Sequence, residues 1–419
     1  MTRRLNHPRT GRTRAIALAL AGLALLAAAS AGRAAAPAPA RLVAVADIHG
    51  ALGAFQEILR AARLIDERDR WIGGDAILVQ TGDYLDRGAD VRAVMDLLMA
   101  LERGAPRAGG RAHVLLGNHE TMNLVGETRD VNPEIYTTFA DRDSEKRRER
   151  AWNDYTRVSD DRARALGSRP KVYDVPRETW LAARPPGFVE YLAALGPDGR
   201  YGRWLRERPV VMTVDGTVLM HAGLDPDTAP ATLEDVNQQV RGDLEAFDGY
   251  RKYLVDQKIV TPAFTLPEIV AAAQAEAESL TALVDRARAG DQAAVEWLQR
   301  LDRRHLDVIR GVLDVGQSSL FATDGPMWFR GFANWSDAEG AERVDWLLDR
   351  YHARRFVAGH TPQLPSDVGG RFGGRVFLID TGMLASRYPG GRASALEVAD
   401  EVVTAIYADS TTVLARPSR

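Results

Sequence analysis

At 419 residues the chain can bury a large core, and 45% apolar with 26% charged content is ordinary for a soluble globular protein. The formal charge of −3 gives no support for non-specific nucleic-acid binding. Cysteine is absent, which excludes disulfides and thiolate metal sites and is compatible with an oxidising compartment.

The N-terminus carries the three parts of a secretory signal. Arg3, Arg4, Arg9, Arg12 and Arg14 form a basic stretch, Ala15 to Ala29 an Ala/Leu run, and Ala29-Ser30-Ala31 a small-residue cleavage site. The run is short and alanine-rich against the ~20 residues a spanning helix needs. Export to the periplasm or the exterior is therefore expected over an uncleaved membrane anchor. Arg3-Arg4 also raises twin-arginine export, which would carry a folded, metal-loaded protein. Residues 1–31 read as signal, 32–41 as an Ala/Pro-rich linker and 42–419 as the folded domain. Losing the signal removes those arginines and no acid, so the mature chain is more acidic, and no stable membrane span is expected in it.

Leu42 to Ala46 is a short apolar run ending in polar residues, the pattern of a buried strand. Ala51 to Leu64 has apolar residues at helical spacing, Ala76 to Val79 is a second strand, Val91 to Leu101 a second helix, and Ala112 to Leu116 a third strand. This alternation predicts βαβ units and a largely parallel sheet. From about residue 125 to 208 the pattern loosens into charge clusters and turns, with Arg142 to Arg150 reading as a solvated helical face. Val210 to Val214 and Thr217 to Met220, split by Asp215-Gly216, predict a β-hairpin. A helical insertion follows over about 233–325, placed either to cap the site or to buttress the sheet. Arg355 to Ala358, Arg375 to Ile379 and the chain from Ala395 return to strand character. The expected fold class is α/β: two packed mixed β-sheets flanked by helices, with helical insertions and with ligands at the carboxyl ends of central strands.

Five polar blocks each stand directly behind one of these strands: Asp47-Ile48-His49-Gly50, Gly82-Asp83-Tyr84-Leu85-Asp86-Arg87-Gly88, Gly117-Asn118-His119-Glu120, Met220-His221-Ala222-Gly223 and Gly359-His360-Thr361. Asp47 and His49 are two apart and in a straight strand would point the same way. Asp83 could place a carboxylate between two cations, Asn118 offers an amide oxygen, and His221 and His360 add imidazoles. Oxygen and nitrogen ligands alone suit manganese, iron or zinc. Two such cations about 3.5–4 Å apart would activate a shared water and clamp a phosphoryl oxygen. His119 would face the substrate and give a proton to the leaving oxygen, with Asp86 to orient it. Arg87 offers phosphate a planar bidentate grip, and Arg330 a second one. Any one block has a bland explanation, such as a turn, or Asn118 capping a helix; all five in order do not. Elsewhere the bland reading holds: His113 as a strand residue, His305 and His352 as solvent-facing, Trp328 and Phe329 as packing. Asp380-Thr381-Gly382 is either site rim or plain turn.

Asp-x-His-Gly, Gly-Asp-x-x-Asp-Arg-Gly and Gly-Asn-His-Glu resemble the signature of the phosphoprotein phosphatase branch of calcineurin-like metallophosphoesterases. Trp328-Phe329-Arg330-Gly331, Ala358-Gly359-His360-Thr361 and Ile379-Asp380-Thr381-Gly382 look more like its Shewanella-like protein phosphatases. The resemblance covers most of the chain from Leu42, interrupted by insertions. It implies a metallophosphatase αββα sandwich, with Asp47, His49 and Asp83 holding a first metal and Asp83, Asn118, His221 and His360 a second. His119 with Asp86 would be the proton-donor pair, Arg87 and Arg330 the phosphate clamp, and attack by metal-bound hydroxide would be direct, without a phosphoenzyme. The implied cofactors are two metal ions, manganese with iron or zinc as alternatives; the implied substrate is a phosphorylated protein or peptide. The substrate-groove segment of eukaryotic serine/threonine phosphatases is not recognisable, which leaves phosphotyrosine open. Two other readings compete: a nucleotide or dinucleoside polyphosphate hydrolase, and a non-catalytic metal-binding module.

Overall fold

The computed structural model describes residues 41–417 apart from Leu364, and the expected signal and the linker up to Ala40 lie outside the described residues. Strands β1 (Leu42–Val45), β2 (Ile77–Gln80) and β3 (Arg111–Val114) pair in parallel. The helices Leu52–Ala61 and Val91–Gly104 cross over between them, burying Phe55, Ile58 and Leu59 from the first and Val94, Leu98 and Leu101 from the second. These positions keep helical spacing, which is why one stripe of each helix meets the sheet.

Strands β4 (Val211–Val214) and β5 (Thr217–Met220) form the expected hairpin. Asp215 and Gly216 both take positive φ, 44° and 72°, as a two-residue turn of matching twist requires. β5 continues in parallel to β6 (Arg355–Ala358), and β8 (Val376–Leu378) follows β6, with β7 (Gly369–Arg371) antiparallel at the edge. The chain then returns to the first sheet as β9 (Ser394–Ala399), β10 (Val402–Tyr407) and β11 (Thr411–Ala415). The two sheets run β11-β10-β9-β1-β2-β3 and β4-β5-β6-β8-β7. One apolar core holds residues of both, among them Val43 and Val45 from β1 and Met220, Phe356 and Ala358 from the other sheet.

Between β3 and β4 the chain is helical, including Ser144–Leu166 and Phe188–Leu195. The later helices Leu233–Asp256, Leu266–Arg288, Gln292–Gln299 and Arg303–Leu313 buttress rather than cap. Asn237 accepts from the backbone N–H of Val210 (2.9 Å) and Val211 (3.1 Å), pinning the first of them to the β4 edge, and no residue of 233–313 lines the cavity at the strand ends. His305 departs from expectation: it packs beside Tyr253, with Nε2 3.8 Å from the buried Glu276, because its helix turns that face inward. His352 is exposed. Among the described residues no helix is long and apolar enough to cross a membrane.

Candidate active site

The five polar blocks sit at the carboxyl ends of β1, β2, β3, β5 and β6, where both sheets present strand ends to the same edge. A further acid, Asp380, follows β8 to that edge. Backbone geometry is unusual here: His49, Asp83, Asp86, Arg87 and His360 all take positive φ, between 44° and 68°. Each such residue costs about 1–3 kcal/mol and persists only where its surroundings over-determine it. His49 shows the consequence: Asp47 and His49 reach the site through a turn, not as alternate residues of a straight strand. Gly359 and Gly117 are required because a Cβ at either would collide with a carboxylate oxygen, that of Asp47 for Gly359 and that of Asp83 for Gly117.

Asp83 is the hub. Its Oδ1 accepts the His119 backbone N–H (3.0 Å), and its Oδ2 lies 3.3 Å from His221 Nε2, 3.6 Å from His49 Nε2 and 3.8 Å from His119 Nε2. His221 Nε2 is also 2.9 Å from Asn118 Oδ1 and 3.1 Å from His360 Nδ1. Two groups that could each hold a metal ion result, His49–Asp83–His119 and Asp83–His221–His360. Asp47 stands slightly apart, its Oδ2 4.0 Å from His49 Nε2 while Oδ1 accepts the His360 N–H (3.0 Å). His119, expected to face the substrate, thus also turns Nε2 towards the ligand cluster.

The donor set fits cations. His49 Nδ1 donates to the Leu85 carbonyl (2.8 Å) and His221 Nδ1 to that of Thr81 (3.2 Å), so both direct Nε2 inward, the arrangement that orients metal-binding imidazoles. Burial holds His49 well below the ordinary imidazole range, and burial with the His221 charge brings His360 down to about 2; both are kept in the neutral, ligating form. Burial opposes the charged form of His221 too, but the Asp83 and Asp47 carboxylates outweigh it and raise it to about 9. The Arg87 guanidinium lies 2.6 Å from His49 Nε2, so positive charge already sits where that lone pair points, and 2.9 Å from His119 Nε2. His360 Nε2, buried, has no partner.

Supporting the cluster are residues to which the sequence assigned no role. Glu120 is fully buried and accepts four backbone N–H groups: Asp83 (2.7 Å), Gly117 (2.8 Å), Tyr84 (2.9 Å) and Leu85 (3.0 Å). Burial and the Asp83 charge push it up to about 7 against the pull of those donors. Its motif was visible, but its direction was not: Gly117 is the N-cap, Asn118 is already helical, and Glu120 reaches back from the third helical position. Asn118 is thereby released from capping. His119 Nδ1 donates to Asp86 (2.6 Å), both Asp86 oxygens accept from Asn123 Nδ2 (2.9 Å each), and the Tyr191 hydroxyl donates to Asn123 Oδ1 (2.6 Å). Burial pulls His119 down, yet Asp83 and Asp86 together leave it raised above the ordinary imidazole value. Asn123 lies one helical turn after His119, a spacing that could have identified it.

A cavity of about 250 Å³ opens over these groups, lined among others by Asp83, Asn118, His119, His360, Arg87 and Arg330. Arg330 donates to Thr361 Oγ1 (2.9 Å) and Arg87 to the Tyr388 hydroxyl. Trp328 forms a wall of it, while Phe329 packs on Trp335, ring centroids 5.3 Å apart. Arg129 and Tyr388 line it as well, unforeseen because nothing local marks them. Asp380 is buried at the same edge; its burial and the Asp47 charge hold it well above the usual carboxylate range.

Comparison with known proteins agrees with this geometry. A family model described as calcineurin-like phosphoesterase matches residues 40–364. Shewanella-like protein phosphatase 2 of Arabidopsis thaliana is 34% identical over 219 residues, 50% of this chain and 53% of that protein, so the chain spans about half the length of that relative. Shewanella-like protein phosphatase 1 of Plasmodium berghei is 22% identical over 376 residues, 87% of this chain and 74% of that one. Among solved structures, a cold-active protein-tyrosine phosphatase of a psychrophilic Shewanella sp. superposes with a TM-score of 0.55 at 22% identity, covering 90% of this chain and 81% of that one, a likeness of fold.

Proposed function

From the premise that this chain belongs to the calcineurin-like phosphoesterase family, we propose that it is an exported, two-metal phosphomonoesterase acting on phosphorylated protein side chains. The observation that carries the reading is the convergence of Asp83 Oδ2 with three imidazoles beneath a cavity walled by Arg87 and Arg330. Asp47, His49 and Asp83 would hold one ion, and Asp83, Asn118, His221 and His360 the other, with manganese first and iron or zinc as alternatives. Bound there, the ions supply a water nucleophilic near neutral pH and positive charge for the phosphoryl oxygens.

The chain's own residues supply the rest. Arg87 and Arg330 orient the phosphoryl group, giving up neutral partners (Tyr388, Thr361) for charged ones. His119, charged and aligned by Asp86, delivers the Nε2 proton to the departing oxygen. At about 250 Å³ the cavity falls below the roughly 300–1,000 Å³ of small-molecule sites. That size favours one phosphorylated side chain reaching in from a polypeptide over a buried nucleotide. The names of the relatives support a phosphoprotein substrate, and the Shewanella neighbour keeps phosphotyrosine beside phosphoserine/threonine.

A panel of phosphotyrosine and phosphoserine/threonine peptides against nucleotides and dinucleoside polyphosphates, run with manganese, iron and zinc, tests the reading. Peptides should be hydrolysed at the higher kcat/KM; faster nucleotide turnover under every metal would replace it. Asp83→Asn should remove both metals and the activity together, and an Asp83→Asn protein with full turnover would refute the shared-ligand role. Export is tested by the mass of the mature N-terminus, expected to begin after Ala31.

A further inference from the structure

A second cavity, of about 470 Å³, lies among the helices Ser144–Leu166 and Phe188–Leu195 and the segment 261–263. It shares no lining residue with the cavity at the strand ends. Val189, Leu192, Ala193, Pro197 and Pro262 give it a mostly apolar wall. Three arginines also line it, and they differ in their partners. Arg147 is neutralised by Glu190 (2.6 Å) and Asp141. Arg251 donates only to the backbone carbonyls of Pro262 (2.9 Å) and Phe264 (3.4 Å). The acid nearest in influence, Asp248, is held through both oxygens by Arg206 (2.7 and 2.8 Å). Arg150 is exposed and forms no ion pair among the described residues. Of the acids in the wall, Asp154 is engaged by Arg157, and Asp198 pairs with neither arginine.

Arg251 is half-buried, so its guanidinium, left with carbonyl acceptors beside an apolar wall, has lost part of its hydration without gaining a counter-charge. An anionic head would supply that charge, and an apolar tail would cover the wall. We propose that this cavity binds an amphipathic anion, its head on Arg251 and Arg150 and its chain against Leu192, Ala193 and Pro262. The volume is within the roughly 300–1,000 Å³ of small-ligand sites. A Cβ at Gly126, two residues past the helix that carries Asn118 and His119, would stand 3.3 Å from Arg251 Nη1, so a head bound on Arg251 comes near the backbone leaving that helix.

The test uses the metal-loaded full chain with inorganic phosphate saturating the active site. Octanoate, octanesulfonate and octanol are titrated below their aggregation limits by calorimetry. Both anions should bind and octanol should not; binding of octanoate alone would narrow the head to a carboxylate. Arg150→Met, at an exposed position, and Arg251→Met should each weaken the anions by about tenfold, the loss of one charge-assisted hydrogen bond. Ala193→Phe should block binding by filling the wall while leaving aryl phosphate hydrolysis unchanged. No binding of either anion, equal binding of octanol, or unaltered affinity in Arg150→Met and Ala193→Phe would overturn the assignment.

Discussion

Replacing Glu120 by Gln tests whether the Asp83 loop is held by one buried carboxylate. Each Glu120 oxygen serves two N–H groups: Oε1 takes Tyr84 and Leu85, Oε2 takes Asp83 and Gly117. A glutamine keeps one oxygen, so in either orientation its amide confronts two buried N–H donors. Two orphaned donors at about 1–3 kcal/mol each give a loss of about 2–6 kcal/mol. With an unfolding entropy near 2.1 cal/mol/K per residue, a domain of this size has about 0.8 kcal/mol/K, so Tm should fall by roughly 3–8 °C. Because the loop carries Asp83, the variant should also lose metal on dialysis under conditions where the unmodified protein keeps it. Calorimetry and elemental analysis of the same sample read both effects. A Glu120→Gln protein with unchanged Tm and full metal content would refute the clamp.

Further outcomes follow from the His119 network. His119→Asn should slow hydrolysis with metal content unchanged, and slow it more for alkyl phosphates than for activated aryl phosphates; an equal loss on both would exclude proton donation by His119. Since His119 is raised above its ordinary value and acts in its protonated form, activity should fall as pH rises through that raised pKa. Asp86→Asn removes one of the two carboxylates that raise it, so this basic limb of the kcat profile should move to lower pH. Tyr191→Phe leaves Asn123 Oδ1 buried without its donor, costing about 1–3 kcal/mol of stability, and should lower kcat severalfold without changing metal content, as read by denaturation and steady-state assays.

The gathering of the ligand candidates at one edge was legible because each follows a short apolar run of strand length, and open α/β sheets gather sites at such strand ends. The hairpin was legible for a comparable reason, Asp215-Gly216 being a turn chemistry with few other uses. What was not legible acts through contacts distant in sequence. Tyr191 meets Asn123 across 68 residues and Tyr388 meets Arg87 across 301, separations over which no spacing rule operates. Glu120 is intermediate: its motif was plain, yet its role depends on a hand-over from strand to helix that leaves four N–H groups facing one point. The outward reading of His305 failed for want of tertiary information, since a charged helix shows its inward face only once a neighbour with a buried acid is in place.

The same contrast explains how the helices between β3 and β4 belong to the site. Tyr191, on the helix Phe188–Leu195, packs against Tyr136 and Phe139 and ends a chain of hydrogen bonds through Asn123 and Asp86 to His119. Asp86 itself sits at a φ of 66°, a conformation a lone loop would abandon. Its burial also raises its pKa, against the pull of His119 and Asn123. Asn123 helps to meet both costs, and it is held by the His119 carbonyl within its own helix (2.9 Å) and by Tyr191 from outside the sheets. The first insertion, whose sequence pattern was the loosest in the chain, therefore helps through Tyr191 to hold the most strongly patterned motif in place.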